Sequence, residues 1–228
     1  MVEASFVDWD GNIVCTLFLP GCNFRCGFCF NHELVLAPEG LEDVPLEYVR
    51  EYLRANRDFL DGVCITGGEP TLHGIQELCR MVKELGLGVK LDTNGSNPEV
   101  VGALIDSGLV DFVAMDVKAP FDDGSYSLVS GVEVRAERLR RCAELIASRV
   151  EHEFRTTVVP GVHTPEVVED IARALAELGA RKYVLQKFIP ELAMSQELRK
   201  LTPMKDEEMD ALVEVAGRYI DVVRWRGR

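Results

Sequence analysis

Cys22, Cys26 and Cys29 stand within eight residues, in the string Cys22-Asn23-Phe24-Arg25-Cys26-Gly27-Phe28-Cys29. Closed zinc sites and electron-transfer clusters normally take four protein ligands, often four thiolates. The other cysteines, Cys15, Cys64, Cys79 and Cys142, are scattered singly through apolar segments and read as small buried hydrophobes. Three thiolates on one loop can hold three irons of a [4Fe-4S] cluster and leave the fourth iron open to a ligand. An open iron suits substrate or cofactor chemistry rather than electron storage. The alternatives are a partial zinc knuckle, buried thiols and disulfides. Seven cysteines is an odd count, and Met1-Val2-Glu3-Ala4-Ser5 carries an acid and no basic, apolar leader. The expectation is therefore a cytoplasmic chain, where clustered cysteines bind metal or do redox work.

Other chemistry-bearing residues follow apolar runs. Gly67-Gly68-Glu69-Pro70 combines two residues without a Cβ, which let backbone approach a ligand, with a carboxylate able to accept from an ammonium. Asp92-Thr93-Asn94-Gly95-Ser96 and Asp116-Val117-Lys118 end two further runs, and Arg155 lies inside another. Each has a bland reading as well: a turn, a helix cap, a salt-bridged surface charge. His32, His73, His152 and His163 show no ligand spacing and are assigned nothing.

The elements that must position these residues alternate along the chain. Apolar runs at residues 13–19, 62–66, 89–91, 111–115, 153–159 and 183–188 read as strands buried on both faces. Amphipathic patterns lie between them, at 45–56, 72–85, 97–105, 135–148, 164–178 and 206–219. Thr164-Pro165 reads as an N-cap followed by an N1 proline, with Val168, Ile171, Leu175 and Leu178 on one face. Residues 220–226 read as a short edge strand, and Gly40, Gly124 and Gly131 as loop markers. Strand–helix alternation implies α/β architecture with a parallel sheet and right-handed crossovers. Six units fit the length, as a partial (β/α)6 TIM-like barrel; eight would take about 250 residues. The site then belongs at the carboxyl ends of the strands, where every motif above falls. No linker or repeat divides the chain, so residues 1–228 are expected to form a single core, with the cysteine loop at 20–31.

Composition excludes other classes. The net charge of −13 argues against a nucleic-acid binder. The basic residues between Arg135 and Arg141 alternate with apolar ones at helical spacing, as on a solvated helix face. No apolar run approaches the roughly 20 residues needed to span a bilayer.

The cysteine triad, with an aromatic Phe28 before its last member, and the Gly67-Gly68-Glu69-Pro70 loop together resemble the radical S-adenosylmethionine (SAM) enzymes. The strings Gly21-Cys22-Asn23-Phe24-Arg25-Cys26, Asp92-Thr93-Asn94-Gly95 and Asp116-Val117-Lys118 are similar to those of glycyl-radical-enzyme activating enzymes, for anaerobic ribonucleotide reductase and pyruvate formate-lyase. One departure is that Phe30-Asn31 stands where these commonly have His-Asn. The resemblance implies that Cys22, Cys26 and Cys29 ligate iron while SAM chelates the fourth. It implies that Gly67, Gly68 and Glu69 bind the methionyl amino group and that Phe28 lies beside the adenine. Asn94 falls among the SAM-binding residues. Asp92, Thr93 and Asp116 would hold a monovalent cation near the SAM carboxylate, and Lys118 and Arg155 would neutralise or orient SAM. The implied partners are a glycyl-radical enzyme and an electron donor such as flavodoxin or ferredoxin, with no membrane and no nucleic acid. Two other readings stay open. One is a small-molecule radical enzyme resembling 7-carboxy-7-deazaguanine synthase; the other is a non-enzymatic iron–sulfur carrier or sensor.

Overall fold

Apolar runs and amphipathic stretches resolve, in a computed structural model describing residues 1–227, into strands of one sheet with helices between them in the chain. The strands are β1 (Val2–Ser5), β2 (Val14–Leu19), β3 (Gly62–Gly67), β4 (Gly88–Thr93), β5 (Phe112–Asp116), β6 (Glu151–Val158), β7 (Lys182–Lys187) and β8 (Val222–Arg226). They are hydrogen-bonded in chain order from β1 to β8. The helices are α1 (His32–Leu36), α2 (Leu46–Asn56), α3 (Gln76–Glu84), α4 (Pro98–Asp106), α5 (Asp123–Ser130), α6 (Ala136–Arg149), α7 (Pro165–Glu177) and α8 (Asp206–Ala216). The α/β class expected from the alternation is the one observed. The six expected strands are β2 to β7, and the weak run after residue 220 is β8, parallel to β7.

Three features differ from expectation. β1 is an added strand, antiparallel to β2, at the edge of the sheet. The helix expected from residue 72 begins at Gln76, because Pro70–Leu72 forms a separate 3-10 turn that leaves Leu72 exposed. Gly124 lies inside α5 rather than in a loop; Asp122 caps that helix by accepting from Ser125 N, and Gly131 ends it with φ 71°.

The chain divides into two compact units. The first comprises Met1–Asn23, Asn31–Thr93 and Glu99–Val113. Here β2 pairs parallel with β3, and β3 with β4, in continuous register from Val14 opposite Gly62 and from Gly62 opposite Gly88. Val14, Leu17, Val63, Ile65, Val89 and Leu91 from these strands are buried, with Leu53 of α2 and Val82 of α3. Cys15, Cys64 and Cys79 are fully buried, and burial pushes the Cys15 and Cys79 thiols up to about 11. They behave as small core residues.

The second unit comprises Phe24–Phe30, Asn94–Pro98 and Ala114–Arg228. Its strands β6, β7 and β8 pair parallel in order. Val168, Ile171 and Leu175 of α7 turn inward as their spacing predicts, behind a Thr164 cap whose hydroxyl accepts from Val167 N. Along α6, Leu139, Cys142 and Ile146 are buried while Arg135, Arg138 and Arg141 are exposed, as a solvated basic face requires.

Candidate active site

In the first unit the carboxyl end of β3 is zipped to the carboxyl end of β2. Gly68 N donates to Leu19 O at 2.8 Å and Glu69 N to Gly21 O at 2.8 Å. Gly67 has φ 118°, and a Cβ there would strike the Leu19 backbone; a Cβ on Gly68 would enter the Gly21 carbonyl. The two glycines are therefore dictated by close backbone approach at the start of the cysteine loop. Gly21 N donates to Leu34 O of α1 at 2.8 Å, and Asn31 Nδ2 donates to Gly67 O at 2.9 Å. His73, which the sequence left unassigned, places Nε2 2.7 Å from Pro20 O. Backbone and side chains thus fix the approach to Cys22 from three directions.

Glu69 is fully buried. Its Oε1 accepts from Thr71 N at 3.1 Å, from the Thr71 hydroxyl, and from Thr93 Oγ1 at 2.7 Å. A buried carboxylate is tolerable when donors surround it, and here they also fix its rotamer. Thr93 at the end of β4 is therefore a partner of Glu69. Asp92 accepts from the ammonium of Lys90, and from Thr66 Oγ1 at 3.4 Å. Lys90 is buried on β4, where the strand pattern calls for an apolar residue.

In the second unit the remainder of the cysteine loop is a tight turn, Cys29 N donating to Cys26 O at 3.0 Å. Arg25 N donates to Ser130 O at 2.8 Å, and Ser195 N donates to Gly27 O at 2.7 Å, so the loop is held on both sides. Cys26 is buried and Cys29 half-buried. Phe28 is buried, with the Lys118 ammonium 5.8 Å from its ring centroid, a cation–π contact. Phe30, where a histidine was the common residue, stacks on Phe188 with centroids 6.3 Å apart. The departure thus builds an apolar contact beside the last cysteine.

Asp116, at the end of β5, is the hub of this unit. Arg155 Nε donates to its Oδ1 at 2.9 Å and Lys118 Nζ to its Oδ2 at 3.1 Å. Burial opposes charge on Asp116, but the two cations outweigh it and hold the carboxyl well below the usual range. Burial likewise opposes charge on Lys118; Asp116 reverses that and raises the ammonium pKa. Three residues that sequence reasoning missed brace the segment. The Tyr126 hydroxyl accepts from Lys118 N at 3.1 Å and donates to Asp116 O at 3.3 Å. Thr156 Oγ1 donates to Val117 O at 2.6 Å. His163 Nδ1 accepts from Val159 N at 3.0 Å, so Nε2 carries the proton and donates to Lys118 O at 3.0 Å. Burial lowers the His163 pKa and keeps the ring neutral, as that arrangement needs. Asn94 makes a local turn, its Oδ1 accepting from Ser96 N at 2.9 Å.

The family model that describes the radical SAM superfamily matches residues 16–175. The chain belongs to the radical SAM superfamily. It is 36% identical, over 98% of its length and 92% of the relative's, to a Methanocaldococcus jannaschii protein provisionally named a glycyl-radical enzyme activating enzyme. It is 30% identical to a 7-carboxy-7-deazaguanine synthase of Methanopyrus kandleri, over 73% of this chain and 69% of that one. Among solved structures it resembles Streptococcus suis SuiB, with a TM-score of 0.71 and 18% identity. That likeness covers 94% of this chain but 49% of SuiB, so this chain spans about half the length of that protein.

Radical SAM enzymes use a [4Fe-4S] cluster and SAM, and the residues present fit both. Three thiols lie within eight residues, and among the described residues none is committed to a disulfide. Among the described residues no three His, Cys, Asp or Glu side chains stand together as a finished metal cage. The backbone fixed at Gly67 and Gly68 and the immobilised Glu69 carboxylate suit a small cationic amine.

Proposed function

We propose that this radical SAM enzyme activates a glycyl-radical enzyme, with anaerobic ribonucleotide reductase as the partner. The observation that carries the reading is 36% identity, over nearly the full length of both chains, to the provisionally named activating enzyme of Methanocaldococcus jannaschii.

In this reading Cys22, Cys26 and Cys29 hold the cluster. Glu69, with Gly67 and Gly68, receives the methionyl ammonium, and Lys118 and Arg155 supply positive charge for the carboxylate. Phe28 provides an apolar face for the adenine. A [4Fe-4S] cluster on these thiols, with SAM and an electron from a donor such as flavodoxin or ferredoxin, would supply the reductive radical chemistry that removes a hydrogen atom from a glycine Cα of the partner. The chain's own residues contribute orientation and exclusion of water. Asp116 keeps Lys118 charged and aims both Lys118 and Arg155, and the Tyr126–Thr156–His163 brace fixes the backbone of residues 116–118 that carries Asp116 and Lys118.

A second reading, a small-molecule radical enzyme, is favoured by the 30% identity to the deazaguanine synthase. One anaerobic experiment separates them: the reconstituted protein is mixed with reductant, SAM and anaerobic ribonucleotide reductase, and radical and nucleoside are followed together. A glycyl-radical doublet that rises with 5′-deoxyadenosine is expected. 5′-Deoxyadenosine without the doublet would overturn the partner and turn the search to small molecules.

A further inference from the structure

We propose that this protein carries its own monovalent cation: the Lys90 ammonium, buried against Asp92, replaces the metal cation that the resemblance implies, and SAM binding is independent of K+ and Na+. The inference rests on reading Asp92 as part of the SAM site.

Three observations carry it. Lys90 is 2% exposed, and its ammonium is paired with Asp92 and lies 3.8 Å from Cys64 Sγ. Asp92 is the first residue of the group for which a cation was expected, and it already holds a full positive charge. Asp116, the other carboxylate of that group, is likewise engaged within its own unit by Lys118 and Arg155.

A hard monovalent cation is held by oxygen lone pairs, and in the group expected here the negative charge would come from the carboxylates. At Asp92 that charge is already neutralised by a group that cannot diffuse away. Adding a second cation beside a buried ammonium would set like charges together where screening is weak. Conversely, an ammonium tethered by the β4 backbone serves the electrostatic purpose of a bound ion without depending on its concentration. A lysine has no packing reason to occupy this position; a methionine would fill it without the cost of burying a charge.

The test measures SAM dissociation constants by equilibrium dialysis on the reconstituted protein, in KCl, NaCl or choline chloride at equal ionic strength. The wild type is expected to agree within about twofold across the three salts, since no ion is exchanged. Lys90→Met should bind SAM at least about tenfold more weakly in choline and recover most of that loss in KCl or NH4Cl, where the ion fills the emptied position. A second readout needs neither cluster nor SAM: K+ should raise the thermal midpoint of cluster-free Lys90→Met, relative to choline, and leave that of the wild type unchanged. Tighter SAM binding by the wild type in KCl than in choline, by tenfold or so, would overturn the inference whether or not the variant folds. So would Lys90→Met that matches the wild type in choline. Asp92→Asn separates the two ideas: unchanged SAM affinity there would remove Asp92 from the SAM site altogether, whereas salt dependence of the wild type would refute only the internal cation.

Discussion

Asp116 receives a guanidinium on one oxygen and an ammonium on the other, so it can stay ionised in surroundings that disfavour charge. Because its folded pKa is depressed, the stability it contributes is present above the unfolded carboxylate value of about 3.9 and is lost as pH falls towards the folded value. Asp116→Asn would leave Lys118 and Arg155 facing a neutral amide. Breaking a fully buried pair costs about 3–5 kcal/mol; with the Asp116 side chain 34% exposed, solvent screening brings the expectation to about 1–2 kcal/mol. Urea unfolding of both proteins at pH 7 and pH 3 checks this. The gap should be full at pH 7 and smaller at pH 3, where the unfolded wild-type chain gains a proton that the folded chain resists. An equal gap at both values would mean that the carboxylate is not what Asn removes. Glu69 is held by donors of another kind: the Thr71 amide and the Thr71 and Thr93 hydroxyls all donate to its Oε1.

At the level of elements, the two strand ends in the first unit depend on a glycine pair that leaves no room for a side chain. Gly68→Ala must displace either the Gly21 carbonyl or the Glu69 turn, since the obstacle is backbone. The expected cost is about 2–4 kcal/mol, with iron content after reconstitution falling by more than about half, because the approach to Cys22 moves. Gly74→Ala is the matched control: nothing lies within 4 Å of its added methyl, and the change should stay within about 0.5 kcal/mol. Iron assay and chemical denaturation of the pair decide it; equal behaviour would show the zipped loop to be irrelevant to loading. These loops were legible in the sequence because chemistry restricts their residue types: thiols for iron, glycines for close approach. The strands β2 to β7 were legible because burial on both faces leaves nearly unbroken apolar runs. Helix α5 was not, since Gly124, Ser125, Ser127 and Val129 are poor helix formers and its stability comes from the Asp122 cap and the buried Tyr126 ring. Nor were Tyr126, Thr156 and His163 legible as the brace of Lys118, since their spacing along the chain carries no period and only the fold brings them to one segment. Lys90 was hidden for the opposite reason: a single charge inside an apolar run reads as an interruption until its partner is seen.

At the level of the whole molecule, iron is a ligand of the fold and not its foundation. Small metal domains unfold without their metal because the core is too small to hold alone. Here each unit has its own apolar core built on strands and helices: Val63, Ile65, Val89 and Leu91 with Leu53 and Val82 in the first, and Phe154, Tyr183 and Leu185 with Ile146, Ile171 and Leu212 in the second. Among Cys22, Cys26 and Cys29 only Cys26 is buried, so replacing all three with alanine removes little packed volume. The loss should be about 1–3 kcal/mol, a fall in thermal midpoint of no more than about 10 °C for a chain of this length. The triple variant should keep its far-UV circular dichroism and cooperative unfolding while losing iron absorbance and SAM cleavage together. Collapse of the secondary structure in that variant would assign the thiols a structural task and make the cluster part of the scaffold. Retention of both iron and SAM cleavage would place the chemistry elsewhere in the chain.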